Sequence, residues 1–418
     1  MKLCIDFCDM GNKLADMLEL EEARSRLLAG IATLGTESVA LNTAAFRVAA
    51  SDVSSAVDLP AFDNSAMDGY AVRAADVVSA KADAPVTLTL AGKVAAGETF
   101  TDEVQPGTCV RVFTGSILPR GADAVVMQED TQIDDRPSAG VRFLDEVKPW
   151  ENVRFRGEDV KCGSALVKAG DRLSPARIGL LAAAGVATLD VFRRPVIGLL
   201  ATGSELVEPG GSLAPGQIYE SNRAALEPLL ARSGAVVRVY PLVPDTLAAT
   251  KESLARAFAE CDGVVTSGGV SVGELDFVKE AFEELGGTLD FWKVAIKPGK
   301  PFVFGRWGEK LLFGLPGNPV SAIVTFLLLV RPALLRWQVA TETQPCVSRC
   351  VLGEPLSNRG DRRHFIRVCI DGAGVARESG RQASHRLASL AEANALVDVP
   401  PNTTLPTNTM VSAISIEE

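Results

Sequence analysis

The amino-acid sequence predicts a multidomain protein of α/β plus β class: a central doubly wound α/β module, a helical region interrupted by a small inserted β domain, and a C-terminal β domain. Three observations predict it. Between residues 193 and 340, β-branched runs, loops and amphipathic stretches alternate in a strand, loop, helix order. From about 70 to 155, and again after "TETQP" at 341–345, short runs broken by Gly, Pro and Asp replace that order. At 418 residues the chain is too long for one ordinary core.

Each element has a local reason. Residues 1–12, with Cys4 and Cys8, match no pattern. Leu20, Ala23, Leu27 and Ile31 recur at helical spacing, which predicts a helix over about 20–33, and a second short helix is expected near 43–50. The runs "VTLTLAGKV", "CVRVFTG" and "AVVMQ" read as strands of the inserted domain. Ser174 and Pro175 form an N-cap and first-turn pair and Gly185 a C-cap, so the interrupted region resumes there. In the central module, strands are expected at 195–201, 236–243, 263–267, 289–296 and 310–314, with an extra one at 301–307. Helices are expected at about 222–233, 246–260, 275–285 and 319–337, the first capped by Asn222, striped by Leu226, Leu229 and Leu230, and ended by Gly234. The run "SAIVTFLLLV" at 321–330, stopped by Arg331-Pro332, suits a buried helix and not a membrane span. The last section reads as a small barrel or sandwich, and the barrel is adopted.

Composition narrows the function. A net charge of −10 argues against general nucleic-acid binding, which needs a basic face, yet leaves room for a small anion held by a local cluster of cations. The start "MKLCIDFCDM" lacks the layout of a signal peptide, and a cytoplasmic protein with free thiols is expected. Cys346 and Cys350 have metal-like spacing without a second pair. With two histidines, a multi-histidine metal site is excluded, so any Mg²⁺ would rest on carboxylates.

Four loops punctuate the module: "ATGSE" (201–205), "TSGGVSVGELD" (266–276), "AIKPGKP" (295–301) and "GLPGNPVS" (314–321). Loops at the carboxyl edge of a parallel sheet offer backbone N–H groups to anions. Ser267 and Ser271, with Gly268, Gly269 and Gly273, suit an oxyanion, but the lysine of a nucleotide-hydrolysing P-loop is missing. Pro316 and Pro319 bracket Gly317-Asn318 in a stiff loop, with Ser321 in the first turn of the following helix. Lys293, Lys297 and Lys300 form a cationic group, the first two expected on one face of a strand. The carboxylates Asp68, Asp159, Glu205, Asp245 and Asp276 complete the inventory, although each alone is more often a cap or turn residue than a catalyst. The residues point to a module that grips a phosphorylated small molecule.

"FDNSAMDGYAV", "RVFTGSILPRGADAVVMQED", "RGEDV", "TGSEL", "GQIYESN", "SGGVSVGELDF", "WKVAIKPGKP" and "GLPGNPVSA" resemble, in this order, the molybdopterin molybdenumtransferase family, which includes the C-terminal domain of gephyrin. The resemblance spans roughly residues 15–400. It implies an elongated homodimer with a helical dimerisation domain (13–60 and 156–192), an inserted β domain (61–155), a molybdopterin-binding α/β domain (193–340) and a C-terminal β barrel (341–418). It implies a reaction in which adenylylated molybdopterin and molybdate are substrates, the pyrophosphate link is hydrolysed with Mg²⁺ or a similar divalent ion, and AMP leaves. Carried over, Ser267, Ser271, Lys293, Lys297, Lys300, Pro316, Pro319 and Ser321 bind substrate, joined by Arg367 and Ser384 from the C-terminal domain. Asp68, Thr114, Asp159, Asp245 and Asp276 are catalytic, with Glu205 and Asp276 on the metal, and Asp68 and Asp159 approaching from the partner subunit. An adenylylating enzyme and cofactor-accepting apo-enzymes follow as partners, with no nucleic acid and no membrane. The alternatives are a molybdopterin adenylyltransferase-like enzyme, which needs only the α/β module, and a non-catalytic dimeric scaffold. Ala383 stands where many relatives have glycine.

Overall fold

The computed structural model describes residues 17–133, 140–270 and 276–416. Its centre is a six-stranded sheet in the order 236–239, 196–201, 263–267, 310–315, 301–307, 288–293. The first four strands are parallel, paired from Ile197 with Gly263 to Ala201 with Ser267, and from Gly263 with Leu311 to Ser267 with Leu315. Strand 301–307 is antiparallel to both its neighbours, because a two-residue turn at Gly308-Glu309 joins Trp307 to Lys310 and leaves no room for a crossover helix, while 288–293 beyond it runs in the direction of the first four. The expected parallel sheet is therefore mixed, and the strand expected over 289–296 ends at Lys293.

Alternate side chains of these strands feed two cores. Ile197, Leu199, Val265, Leu311, Phe313 and Phe304 face one, while Leu200, Val264, Leu312 and Val303 face the other. Burial on both faces explains the continuous apolar runs. The helix over Pro319–Trp337 lies in the first core and does not stop at Arg331-Pro332. A π-helical turn at Phe326–Val330, where Arg331 N–H donates to the Phe326 carbonyl, absorbs the proline. Its 19 residues have the length and mean hydropathy of a membrane span, but 94% of the window is buried inside the fold.

The first helix, Leu20–Ala29, is shorter than expected and packs Leu20, Ala23 and Leu27 into the α/β core. Arg306 anchors its end by donating to the Gly30 carbonyl at 2.7 Å. No helix forms over 43–50; a 3₁₀ turn at Leu41–Thr43 precedes bridges from Val48 to Arg172 and from Ala49 to Val191. With strand Thr36–Ala40 on Thr188–Phe192 and Val53–Ser54 on Ala165–Val167, the region expected to be helical is built mainly from short antiparallel ladders. Helix Pro175–Ala183 does form, and the Ser174 hydroxyl accepts from Arg177 N–H. The inserted domain is a curled six-stranded sheet over its own core around Tyr70, Cys109 and Phe143. In the C-terminal domain, five strands close into a barrel, because Arg363–Ile370 pairs with both 375–378 and 395–399 while 347–352 and 410–415 complete the ring.

The aromatic layer beneath the sheet carries much of the module's stability. Phe304 is fully buried, 5.6 Å from Phe313 and 5.8 Å from Phe291 between ring centroids. Phe304→Ala is expected to cost about 3–5 kcal/mol, read as a lower denaturant midpoint, because the packed rings cannot collapse into the space.

Candidate active site

The connection that leaves strand 196–201 runs to 236–239 on one side of the sheet, and the one that leaves 263–267 runs to 288–293 on the other. The carboxyl ends of 196–201 and 263–267 therefore diverge, and a crevice opens there. It holds a cavity of about 620 Å³ lined by Glu205, Asp245, Ser267, Asp276, Pro316 and Pro319, among others. Residues scattered over 115 positions of sequence are brought together by one sheet edge.

The floor depends on close backbone approach. A Cβ on Gly268 would lie 2.6 Å from the Thr202 carbonyl oxygen, and one on Gly269 2.7 Å from the Thr202 hydroxyl; both glycines have positive φ. Ser267 is buried, and its hydroxyl accepts from Asn222 Nδ2 at 2.7 Å. The same Asn222 amide donates to the Gly317 carbonyl at 2.8 Å, tying the serine loop to the proline loop. Asn222 is thus the first residue of its helix and a brace between two site loops, not the cap expected from its position; Ser221 holds the cap position. Asn222 Oδ1, Thr202 Oγ1 and Thr266 Oγ1 are buried without a partner among the described residues. Unsatisfied groups beside a polar cavity are costly, which suits a site that binds polar ligands. Ser271 lies outside the described residues.

Three carboxylates line this cavity. Asp245 Oδ2 accepts from Ser204 N–H at 2.8 Å, and Asp245 N–H donates to Ser204 Oγ at 3.0 Å, fixing the loop that presents Glu205. Glu205 and Asp276 line the same cavity. Among the described residues, no group of three or more His, Cys, Asp or Glu is close enough to form a ready metal cage. Two carboxylates with space for ligand oxygens fit a Mg²⁺-type ion that takes the rest of its shell from substrate and water.

A second cavity of about 480 Å³ adjoins the first, sharing Pro301, Asn318 and His385. Lys297, Lys300, Ser321 and Ser384 line it, with Arg362, which the sequence reading did not single out. Lys297 and Lys293 do not share a strand face: Ile296–Lys297 leaves the central sheet and pairs with the barrel strand at Arg363 and His364. Arg362 Nη1 donates to the Ile296 carbonyl at 2.9 Å, locking that junction. Lys293 lines neither cavity; its ammonium sits 3.7 Å from the Trp292 ring centroid. Arg367 is fully buried behind the cavity, donating to the Arg381 carbonyl at 2.9 Å, while Gln382 bonds its backbone on both sides. It supports the loop that carries Ser384, whose carbonyl accepts from Val320 N–H at 3.2 Å. Ala383 is not among the residues with left-handed backbone, so alanine is unstrained there.

Three residues stand apart from both cavities within one chain. Asp68 accepts from Thr114 N–H and from its hydroxyl, both at 2.8 Å, and these bonds hold its carboxyl below the usual range. Asp159 is exposed, with its N–H on the Leu59 carbonyl at 3.1 Å. A signal for Asn222 and Arg362 did exist in the sequence, an amide at a strand-end helix start and a third cation near the site, but spacing alone does not separate such residues from caps and surface charges.

Fold and site define a multidomain α/β protein with a polar crevice at its sheet edge that the barrel helps to wall. Residues 18–185 match the MoeA N-terminal region (domain I and II), 198–336 the probable molybdopterin binding domain, and 349–416 the MoeA C-terminal region (domain IV). The molybdopterin molybdenumtransferase of Haemophilus influenzae is 39% identical over 387 residues, covering 91% of this chain and 94% of that protein. That of Bacillus subtilis is 34% identical over 372 residues, covering 88% and 86%. The crystal structure of molybdopterin biosynthesis moeA protein from Pyrococcus horikoshii OT3 superimposes with a TM-score of 0.78 at 32% identity, over 96% of this chain and 100% of that one. The chain belongs to the molybdopterin molybdenumtransferase (MoeA) family.

His364 reports on the cation-rich wall. It is buried, its Nε2 has no partner among the described residues, and burial, with the charges of Lys297, Arg367 and Arg362, pushes its pKa down to about 4 from 6.5. Between these values the unfolded chain binds a proton that the folded chain refuses. The stability tied to the neutral imidazole is therefore complete above about pH 6.5 and lost as pH falls toward 4. His364→Leu is expected to flatten the decline of the urea midpoint between pH 6.5 and 4.5, and an unchanged slope would contradict this assignment.

Proposed function

We propose that this protein is a molybdopterin molybdenumtransferase, which inserts molybdate into adenylylated molybdopterin, with hydrolysis of the pyrophosphate link and release of AMP. The observation that carries the reading is the pair of adjoining cavities: carboxylates on one side at the switch point, lysines and serines on the other. A diphosphate-linked pterin and molybdate are both oxyanions, and charge-assisted bonds from lysine and serine are the strong way to hold them. Lys297, Lys300, Ser321 and Ser384 would bind molybdate and the pterin phosphate, with Ser267 and the backbone of Gly268 at the floor. Pro316 and Pro319 keep the intervening loop stiff, so orientation costs less on binding.

On the acidic wall, Glu205 and Asp276 would hold Mg²⁺ or a similar ion, which when bound neutralises phosphate charge. Asp245 fixes the Glu205 loop through Ser204. Asp276 would orient water toward the pyrophosphate. Asp68, Thr114 and Asp159 would complete the site from a second subunit, which makes a homodimer part of the proposal; Thr114 keeps Asp68 ionised for that task. The chemistry requires an adenylylating enzyme to supply the substrate and apo-enzymes to accept the product, and we place it in the cytoplasm.

The test is AMP release and active-cofactor formation from adenylylated molybdopterin, with and without molybdate and Mg²⁺, read by apo-enzyme reconstitution. Molybdate-dependent AMP release with reconstituted activity is expected; tight binding without turnover would overturn the reading in favour of a scaffold. Lys297→Ala with Lys300→Ala is expected to lower turnover by about 10²–10³-fold, the scale of losing oriented oxyanion donors. Asp276→Ala is expected to abolish insertion while the thermal transition stays in place, and undiminished cofactor yield would refute its role.

A further inference from the structure

The inserted β domain has a cavity of its own, about 520 Å³. It follows from topology. The sheet runs in the order 124–127, 69–72, 108–112, 86–94, 141–143, 131–133, and its two outer strands are consecutive in the chain, joined only by the 3₁₀ turn Gln128–Asp130. The sheet must therefore curl back on itself. Tyr70, Cys109 and Phe143 fill one end, and the other remains an open mouth.

That mouth is cationic and aromatic. The Arg111 guanidinium lies 4.9 Å from the Tyr70 ring centroid and 5.3 Å from that of Phe113, and the Lys93 ammonium lies 5.1 Å from Phe113. Arg111 Nη2 donates to Gln128 Oε1 at 2.5 Å, which orients the planar fork. Among the described residues, Lys93 and Arg111 form no ion pair, and no lining residue is acidic, in a chain of net charge −10. Asp68, the acid that feels the charge of Arg111, is already engaged by Thr114. The rim is apolar, with Leu90 46% and Ile133 67% exposed.

We propose that this cavity binds a small organic anion in which a phosphate or carboxylate is joined to a planar apolar ring. Arg111 presents a fork suited to two oxygens of such a group, Lys93 adds a second charge, and Leu90 and Ile133 cover the ring. The volume lies within the range of about 300–1,000 Å³ usual for small ligands, and barrel mouths are common places for them. A bare inorganic anion leaves the apolar rim unused, and a neutral ring leaves both cations unpaired. The site takes no residue from the two sheet-edge cavities, although Arg111 lies near Asp68 and Phe113 adjoins Thr114.

Isothermal titration calorimetry of the full chain with 1-naphthyl phosphate tests it, with inorganic phosphate and 1-naphthol as partial probes. Because the phosphate also suits the sheet-edge cavities, the titration is repeated in Lys297→Ala/Lys300→Ala. A saturable event that survives this double substitution, weakens at least about tenfold in Arg111→Ala, and weakens similarly in Ile133→Glu supports the proposal. Ile133 is exposed, so its substitution leaves the core untouched even if Arg111→Ala disturbs the fold. Loss of all saturable binding in the Lys297/Lys300 variant overturns it. So does binding indifferent to both Arg111→Ala and Ile133→Glu, or inorganic phosphate binding as tightly as the naphthyl ester.

Discussion

The parallel pairing of strands 196–201 and 263–267 is the constraint on which the rest of the site depends. Their connections diverge to opposite sides, so the two carboxyl ends meet no covering crossover, and the chain must close that edge with loops. Those loops are held at very short range. Gly268 and Gly269 crowd Thr202 so closely that a side chain at either position would force the strand ends apart. Asn222 then fastens the serine loop to the Gly317 carbonyl from across the crevice. A floor assembled this way is preorganised before any ligand arrives, which is where affinity for a charged, strongly hydrated oxyanion is gained.

The barrel is coupled to this floor by backbone as well as by packing. Ile296–Lys297 leaves the central module to join the barrel strand, and Arg362 returns a bond to the Ile296 carbonyl. Lys297 is consequently placed by two domains at once, and the cavity it lines exists only where they meet. Phe365 and Leu396 extend the module's core into the barrel, so the junction is stabilised by apolar burial and not by surface charges alone. Arg367 is the cost of that closure. A buried guanidinium whose Nε has no partner among the described residues is tolerated because its Nη2 holds the loop at the Arg381 and Ala383 carbonyls.

The module was largely legible in the sequence because buried parallel strands and amphipathic helices have different periods, and all five expected strands and the extra one at 301–307 appear, within a few residues at their ends. The tight turn at Gly308 reverses strand 301–307 against the others, which apolar content does not encode. The helix expected near 43–50 failed for a related reason: "AAFRVAA" is apolar at helical spacing, but Val48 and Ala49 bury themselves by bridging to Arg172 and Val191, far along the chain. Glycine and proline punctuation singled out Ser267, Pro316 and Pro319, and these line the sheet-edge cavity together with Asp276, whose role came from the family resemblance. Arg362 and the bracing role of Asn222 were not readable, since both act through contacts between segments remote in sequence. Lys293 shows the converse: proximity in sequence to Lys297 did not survive the chain's exit from the sheet at that point.

The separation of charge across the two cavities explains how an acidic protein can handle anions. Glu205, Asp245 and Asp276 stand on the wall of the first cavity, whereas Lys297, Lys300 and Arg362 stand on the second. At contact distance, opposite charges would neutralise one another and leave neither wall available to a ligand. Asn318 and His385, common to both cavities, lie at the boundary between them. Under the proposed reaction this boundary is where the phosphate end of the pterin must lie, reached by lysines from one side and by a carboxylate-held ion from the other. The overall charge of −10 then bears on solubility and partner choice, while the local arrangement decides what is bound.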